Sequence, residues 1–273
     1  MNQANTQSPR DERAFRRLYR KRVAIFVFGS IVVCLFLAPL YDTVQTMARL
    51  DSVEHGRDTW QRPDVVLKEL NVKDGGVVVD LGCGVGYFTL KASDQVENTG
   101  KVLAVDVLRY PLYVLRTRAL FSGRRNIETV HGAVDDPHLP INAVDAVLIV
   151  NTYHELTAST AILAHLHDTL KRDARLVIVD RSPNDLRGLG EPEAGHHEIA
   201  AARVARDLIA AGFEIIRRDD HFVDPPQEGH IWWLIVARKR IDRTNTEGEQ
   251  PPKGLTGVQS SHSAYQIPGG VNR

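Results

Sequence analysis

The stretch Val77-Val78-Val79-Asp80-Leu81-Gly82-Cys83-Gly84-Val85-Gly86-Tyr87-Phe88-Thr89 limits what this chain can fold into more than any other. The valines read as a buried parallel strand. That strand ends in an acid, Asp80, and glycine then falls at every second position, Gly82, Gly84 and Gly86. Glycine at such a place lets the backbone turn sharply and lets a ligand approach where a Cβ would collide. Tyr87-Phe88-Thr89-Leu90 turns apolar again and is expected to open a helix whose N-terminus faces the ligand. A plain tight turn is the competing reading. A dinucleotide fingerprint, G-x-G-x-x-G, would need its third glycine at position 87, where the chain has Tyr87, and this opposes a dehydrogenase.

The segments that follow alternate strand and helix, the mark of an α/β fold. Lys101 to Val107 predicts a second strand, ending in Asp106 after a crossover of about 20 residues. A helix is expected from Pro111 to Phe121, a strand over Asn126 to Val130, and a fourth strand over Val144 to Val150. Ala158 to Leu170 predicts a helix with Thr157 as its N-cap, and Ala174 to Asp180 a fifth strand. The helix from Glu198 to Ala211 is stopped by Gly212. Phe213 to Phe222 and Ile231 to Arg238 are strands with no helix between them, so they should pair antiparallel. Ahead of the glycine stretch, Val65 to Leu70 reads as a short amphipathic helix and Lys73 to Gly76 as a turn.

The D-x-G-x-G-x-G spacing from Asp80 to Gly86 resembles motif I of the class I S-adenosylmethionine-dependent methyltransferases, and the resemblance extends over roughly residues 55 to 240. It implies a Rossmann-like seven-stranded methyltransferase fold, a mostly parallel sheet that finishes in an antiparallel hairpin. It also implies S-adenosyl-L-methionine as cofactor, held by Asp80, Gly82, Cys83, Gly84 and Gly86. Asp106 would then take the ribose hydroxyls and Val107 would pack on the adenine. Many members carry an acid directly after the glycine that follows the third strand; here that position is Ala133, which leaves Asp135 or a backbone group to meet the adenine amine. Asn151, at the end of the fourth strand, joins the cofactor set. Trp60 and Gln61 are placed to cover the cofactor, as a preceding helix does in many members, or else Trp60 is a core anchor.

Chemistry in open α/β sheets gathers at the carboxyl ends of strands, which makes His154 and Glu155 the acid/base candidates. A neutral imidazole can take a proton from a substrate hydroxyl or amine; a structural histidine at a helix start is the alternative. Asn151-Thr152-Tyr153-His154 is not the Asn/Asp-Pro-Pro-aromatic motif of enzymes acting on adenine or glutamine amino groups. Two cysteines in the chain, Cys34 and Cys83, are too few for an arsenite methyltransferase, a disulfide framework or a thiolate metal site. His196 and His197 fall in a polar loop that would cover the substrate, but adjacent histidines are poorly spaced to share an ion with Glu198, and no metal site is expected.

Residues 23–41 carry no charge and follow a block containing Arg10, Arg13, Arg16, Arg17, Arg20, Lys21 and Arg22. About 18 to 20 apolar residues cross a bilayer as a helix, so a single-pass anchor is expected. A cleaved signal peptide and a buried helix are the rival readings; no small-x-small site follows the run, and Tyr41 suits a membrane boundary. The basic flank orients the N-terminus to the cytosol and the main domain across the membrane, away from the pool where S-adenosylmethionine is made. An interfacial seating, or a cytosolic domain against the charge rule, would remove that conflict. The division expected is a basic segment over 1–22, the span over 23–41, the catalytic domain over 42–241 and a disordered tail over 242–273. Lysine plus arginine, 34, balances aspartate plus glutamate, 34, so no nucleic-acid partner is expected. The function expected is methyl transfer to a small-molecule or lipid-like acceptor, with a membrane-tethered module that binds the cofactor without transfer as the alternative.

Overall fold

The computed structural model describes residues 9–183, 198–223 and 231–240. His196, His197, the loop between the last two strands and the tail lie outside the described residues. In chain order the elements are α1 (Pro9–Val32), a π-turn (Val33–Leu37), α2 (Ala38–Gln61), α3 (Pro63–Glu69), β1 (Val77–Leu81), α4 (Tyr87–Gln95), β2 (Lys101–Asp106), α5 (Arg109–Phe121), β3 (Ile127–His131) and β4 (Val144–Val150). A 3₁₀ turn (Tyr153–Glu155), α6 (Ser159–Thr169), β5 (Leu170–Arg181), α7 (Ala201–Ala210), β6 (Phe213–Val223) and β7 (Trp232–Lys239) complete it.

The seven strands form one sheet in the order β3-β2-β1-β4-β5-β7-β6. The first five pair parallel, and β7 runs antiparallel to both β5 and β6. This is the seven-stranded α/β methyltransferase sheet that the sequence leads one to expect. Side chains alternate across a strand, so one run of valines serves both faces. Val79 and Leu81 pack with Ile162, Leu166, Val204 and Leu208 of α6 and α7. Val78 faces the other way, toward Val66, Leu70, Phe88 and Ala92 of α3 and α4. The chain winds outward from β1 to β3, then returns to β4 on the other side of β1. That reversal opens a crevice at the carboxyl ends of β1 and β4, where ligands bind in such sheets.

Several boundaries differ from expectation, each for a local reason. Helix runs on from the apolar segment, past the expected end of the span at residue 41, to Gln61. Pro39, which has no N–H to give, is absorbed by the π-turn before it, where Ala38 N–H reaches back to Val33 O. The helix stops at Arg62, in left-handed conformation immediately before Pro63, because a residue preceding proline is disfavoured in the helical region. Helix α6 starts at Ser159 with no side-chain cap, so Thr157 is not the N-cap. Strand β5 begins at Leu170 rather than Ala174, with a register shift against β4 between Val144 and Ala146. The stretch from Phe15 to Gln61 contains a window apolar enough to cross a membrane, none of it buried against the rest of the chain.

Candidate active site at the strand ends

A cavity of about 630 Å³ fills the crevice. One wall is backbone. Gly82 N–H and Cys83 N–H both donate to Val105 O, at 2.8 and 3.1 Å, which clamps the loop to the end of β2. Gly84 N–H donates to Asp106 Oδ2 at 3.0 Å, and Leu108 N–H to Oδ1 at 2.8 Å. Asp106 is thereby held rigidly, with acceptor capacity left on each oxygen. Gly82 and Gly84 are bare for different reasons. At Gly82 (φ +75°) an added Cβ would lie 2.2 Å from Thr152 Cγ2, whereas at Gly84 (φ +53°) it would meet nothing within 4 Å. The first glycine admits a protein neighbour; the second leaves space beside the cavity.

Behind the loop, Asp80 is buried and accepts a hydrogen bond from Thr89 Oγ1 at 2.6 Å. Burial pushes its carboxyl up to about 6. Burial likewise raises the Cys83 thiol, making it a packing group rather than a nucleophile. The opposite wall carries Asn151, Thr152, Glu155, Leu156 and Ile162. Asn151 takes a positive φ of 54°, and its buried Oδ1 has no hydrogen-bond partner among the described residues. A buried acceptor without a donor on a cavity wall calls for a ligand N–H or O–H. The mouth is apolar, with Val107, Leu108 and Val134 each about half exposed or more.

Of the residues singled out in the sequence, Asp80, Gly82, Cys83, Gly84, Asp106, Val107, Asn151 and Glu155 all line this cavity. Five do not belong to its described wall. Gly86 caps α4, and the space a Cβ would need there is taken by Leu115 of α5. Asp135 is exposed, because Ala133 N–H closes the turn on Asp136 O and directs the intervening residues outward. Gln61 is buried behind the wall, its Oε1 accepting from Arg57 Nε at 2.9 Å. His154 is also behind it, its side chain only 2% exposed. Trp60 packs on Trp232 with ring centroids 5.4 Å apart, a core anchor rather than a cover.

The reason His154 turns inward is Asp180, the fully buried acid at the end of β5. Its Oδ1 lies 2.8 Å from His154 Nδ1, and its Oδ2 accepts the His154 backbone N–H at 3.1 Å. Nδ1 is therefore the donor, and Nε2 lies 3.6 Å from Glu155 Oε1. Sequence reasoning passed over Asp180, although it ends a strand just as Asp80 and Asp106 do. It also passed over Arg57, which reaches the cavity from α2 with its guanidinium 4.0 Å above the Tyr87 ring.

Sheet order, glycine loop and strand-end acid together give the fold of the class I S-adenosylmethionine-dependent methyltransferases. Residues 78–188 match the family model described as a methyltransferase domain. It is 32% identical over 126 residues to a demethylmenaquinone methyltransferase of Staphylococcus saprophyticus, covering 45% of this chain and 52% of that protein. It is 28% identical over 151 residues to a 2-phytyl-1,4-naphtoquinone methyltransferase of Nostoc sp., covering 55% and 63%. The chain thus spans between half and two thirds of the length of these curated relatives. Among solved structures, a SAM-dependent methyltransferase from Aquifex aeolicus superposes with a TM-score of 0.58 at 26% identity, over 70% of this chain and 96% of that one.

The cavity fits the cofactor of that family. Asp106 presents two carboxylate oxygens with acceptor capacity left, Val107 and Leu108 an exposed apolar edge, and Asn151 Oδ1 a buried acceptor without a donor among the described residues. The space beside Gly84 keeps the loop open to the ligand.

Proposed function

We propose that this chain is a membrane-anchored methyltransferase that moves the methyl group of S-adenosylmethionine to a small hydrophobic or lipid-like acceptor, of which a hydroxylated quinone-type ring is the leading class. The observation that carries the reading is the cavity itself, with the glycine loop and Asp106 on one wall and an apolar mouth beside them. The printed activities of the relatives support the ring class. The uncovered apolar helix ahead of the domain supports the anchor, since a core helix would be buried.

When bound, the cofactor supplies an electrophilic methyl group. The chain's part is to hold the acceptor against it, which accounts for most of the rate in such sites, and to receive the proton the acceptor loses. Glu155 stands on the wall for that task. Nε2 of His154 lies behind it, 3.6 Å from Glu155 Oε1, with Asp180 fixing the ring. His154 acts here as a positioning residue, not as the group that touches the acceptor.

The test is calorimetry on the full chain in lipid nanodiscs with S-adenosylmethionine, beside Asp106→Ala, followed by labelled methyl transfer to a demethylated naphthoquinol. Loss of charge-assisted hydrogen bonds should weaken binding about tenfold or more in the mutant. Binding without transfer to any ring or lipid acceptor would favour the non-catalytic module; no binding would overturn the reading.

A further inference from the structure

Helix α5 leaves an unusual tip. Leu120 is 78% exposed and Phe121 60%, and Ser122-Gly123-Arg124-Arg125 follows at once, with Arg125 exposed and Arg124 engaged with Asp94 at 2.7 Å. Two adjacent large apolar side chains left mostly exposed at a helix end are costly in water. One turn earlier Arg116 is exposed as well.

The position of this tip is set by the long N-terminal helix. Buried Arg118 of α5 donates to both Glu54 oxygens, at 2.7 and 2.6 Å, to Asp51 Oδ1 at 3.1 Å, and to Val85 O of the glycine loop at 2.8 Å. A groove beside these contacts is lined by Met47 together with Phe121 and Ser122. The tip therefore stands beside the stretch of α2 from Met47 to Glu54, which begins six residues past Tyr41, the far edge of the apolar run. At 1.5 Å per helical residue that is about 9 Å from the edge of the hydrocarbon, which is the depth of the lipid headgroup layer.

We propose that Leu120, Phe121, Arg124 and Arg125 form a membrane-seating tip that inserts into an anionic lipid surface and fixes the domain's height and rotation above the bilayer. The inference rests on the anchor reading given above. Charge complementarity selects the occupant: leucine and phenylalanine enter the headgroup–acyl boundary, and Arg125 and Arg116 meet lipid phosphates.

The experiment uses the full chain in Cys34→Ser background, where buried Cys83 resists labelling, reconstituted in vesicles of phosphatidylcholine with phosphatidylglycerol. Spin labels at Leu120→Cys, at Leu40→Cys in the span and at Glu214→Cys on β6 are read against an aqueous nickel quencher. The expected result is quencher access at 120 at least about threefold below that at 214, and partly restored by Arg116→Glu with Arg125→Glu. A protected label at 40 with an aqueous one at 120 overturns the seat and leaves the anchor standing. Aqueous labels at both positions overturn the anchor and the seat together. Protection at 120 that is equal in a lipid-free amphipol assigns the tip to a protein contact and overturns the lipid assignment.

Discussion

The two walls of the cavity are built by different means. The cofactor wall, from Asp80 to Leu108, is made largely of backbone donors and glycines, and the contacts that shape its loop, from Gly82 and Cys83 to Val105 O and from Gly84 to Asp106, begin at backbone N–H groups. The acceptor wall is made of side chains on a short turn after β4, and its key orientation depends on Asp180, which arrives from a different strand. A wall made of backbone is fixed by local sequence. A wall made of side chains is fixed only once the strands are side by side.

That contrast can be broken most severely at Gly82. Gly82→Ala combines a positive φ with a Cβ inside Thr152, a stiff β-branched neighbour, and should cost about 2 kcal/mol or more of stability and at least about tenfold in S-adenosylmethionine affinity. Thermal unfolding and calorimetry of the variant check this. A wild-type affinity in the variant would mean that the loop is not set by its backbone.

The acceptor wall is sharpened by Asp180→Asn, which keeps the size of the side chain and weakens its hold on His154. Turnover should fall about 10- to 100-fold with cofactor affinity within about twofold. An equal loss in both quantities would assign Asp180 to the fold alone. The smallest effect is expected at Thr157, which makes no cap. Thr157→Ala should change stability by less than about 0.5 kcal/mol, and a loss near 1 kcal/mol in chemical denaturation would show that the hydroxyl caps α6 in solution after all.

The same division explains what could be read from the sequence. The valine runs, the strand-end acids and the missing helix between β6 and β7 are local patterns, and they carried the sheet and eight of the residues now seen on the cavity wall. Asp135 was misplaced because a one-residue turn choice, Ala133 N–H to Asp136 O, decides which way a loop carboxylate faces. His154 was put on the wall because its sequence neighbours are there; its own direction belongs to a partner 26 residues away. The helix to Gln61 was hidden for another reason. Its exposed stretch has no strong apolar stripe, and its order comes from the ties of Glu54, Asp58 and Arg57 to the domain.

That unbroken helix also sets a reach. Arg57, on the cavity wall, is 16 residues beyond Tyr41, so with the span in a bilayer the cleft stands about 24 Å of helix above the hydrocarbon edge. A molecule lying wholly within the leaflet is out of range, while one that carries its ring on a short tail, or leaves the bilayer to be modified, is not. With the span so seated, the stalk would also confine the cleft to a thin layer over the membrane. Discrimination by tail length would then be a property of the stalk rather than of any pocket residue.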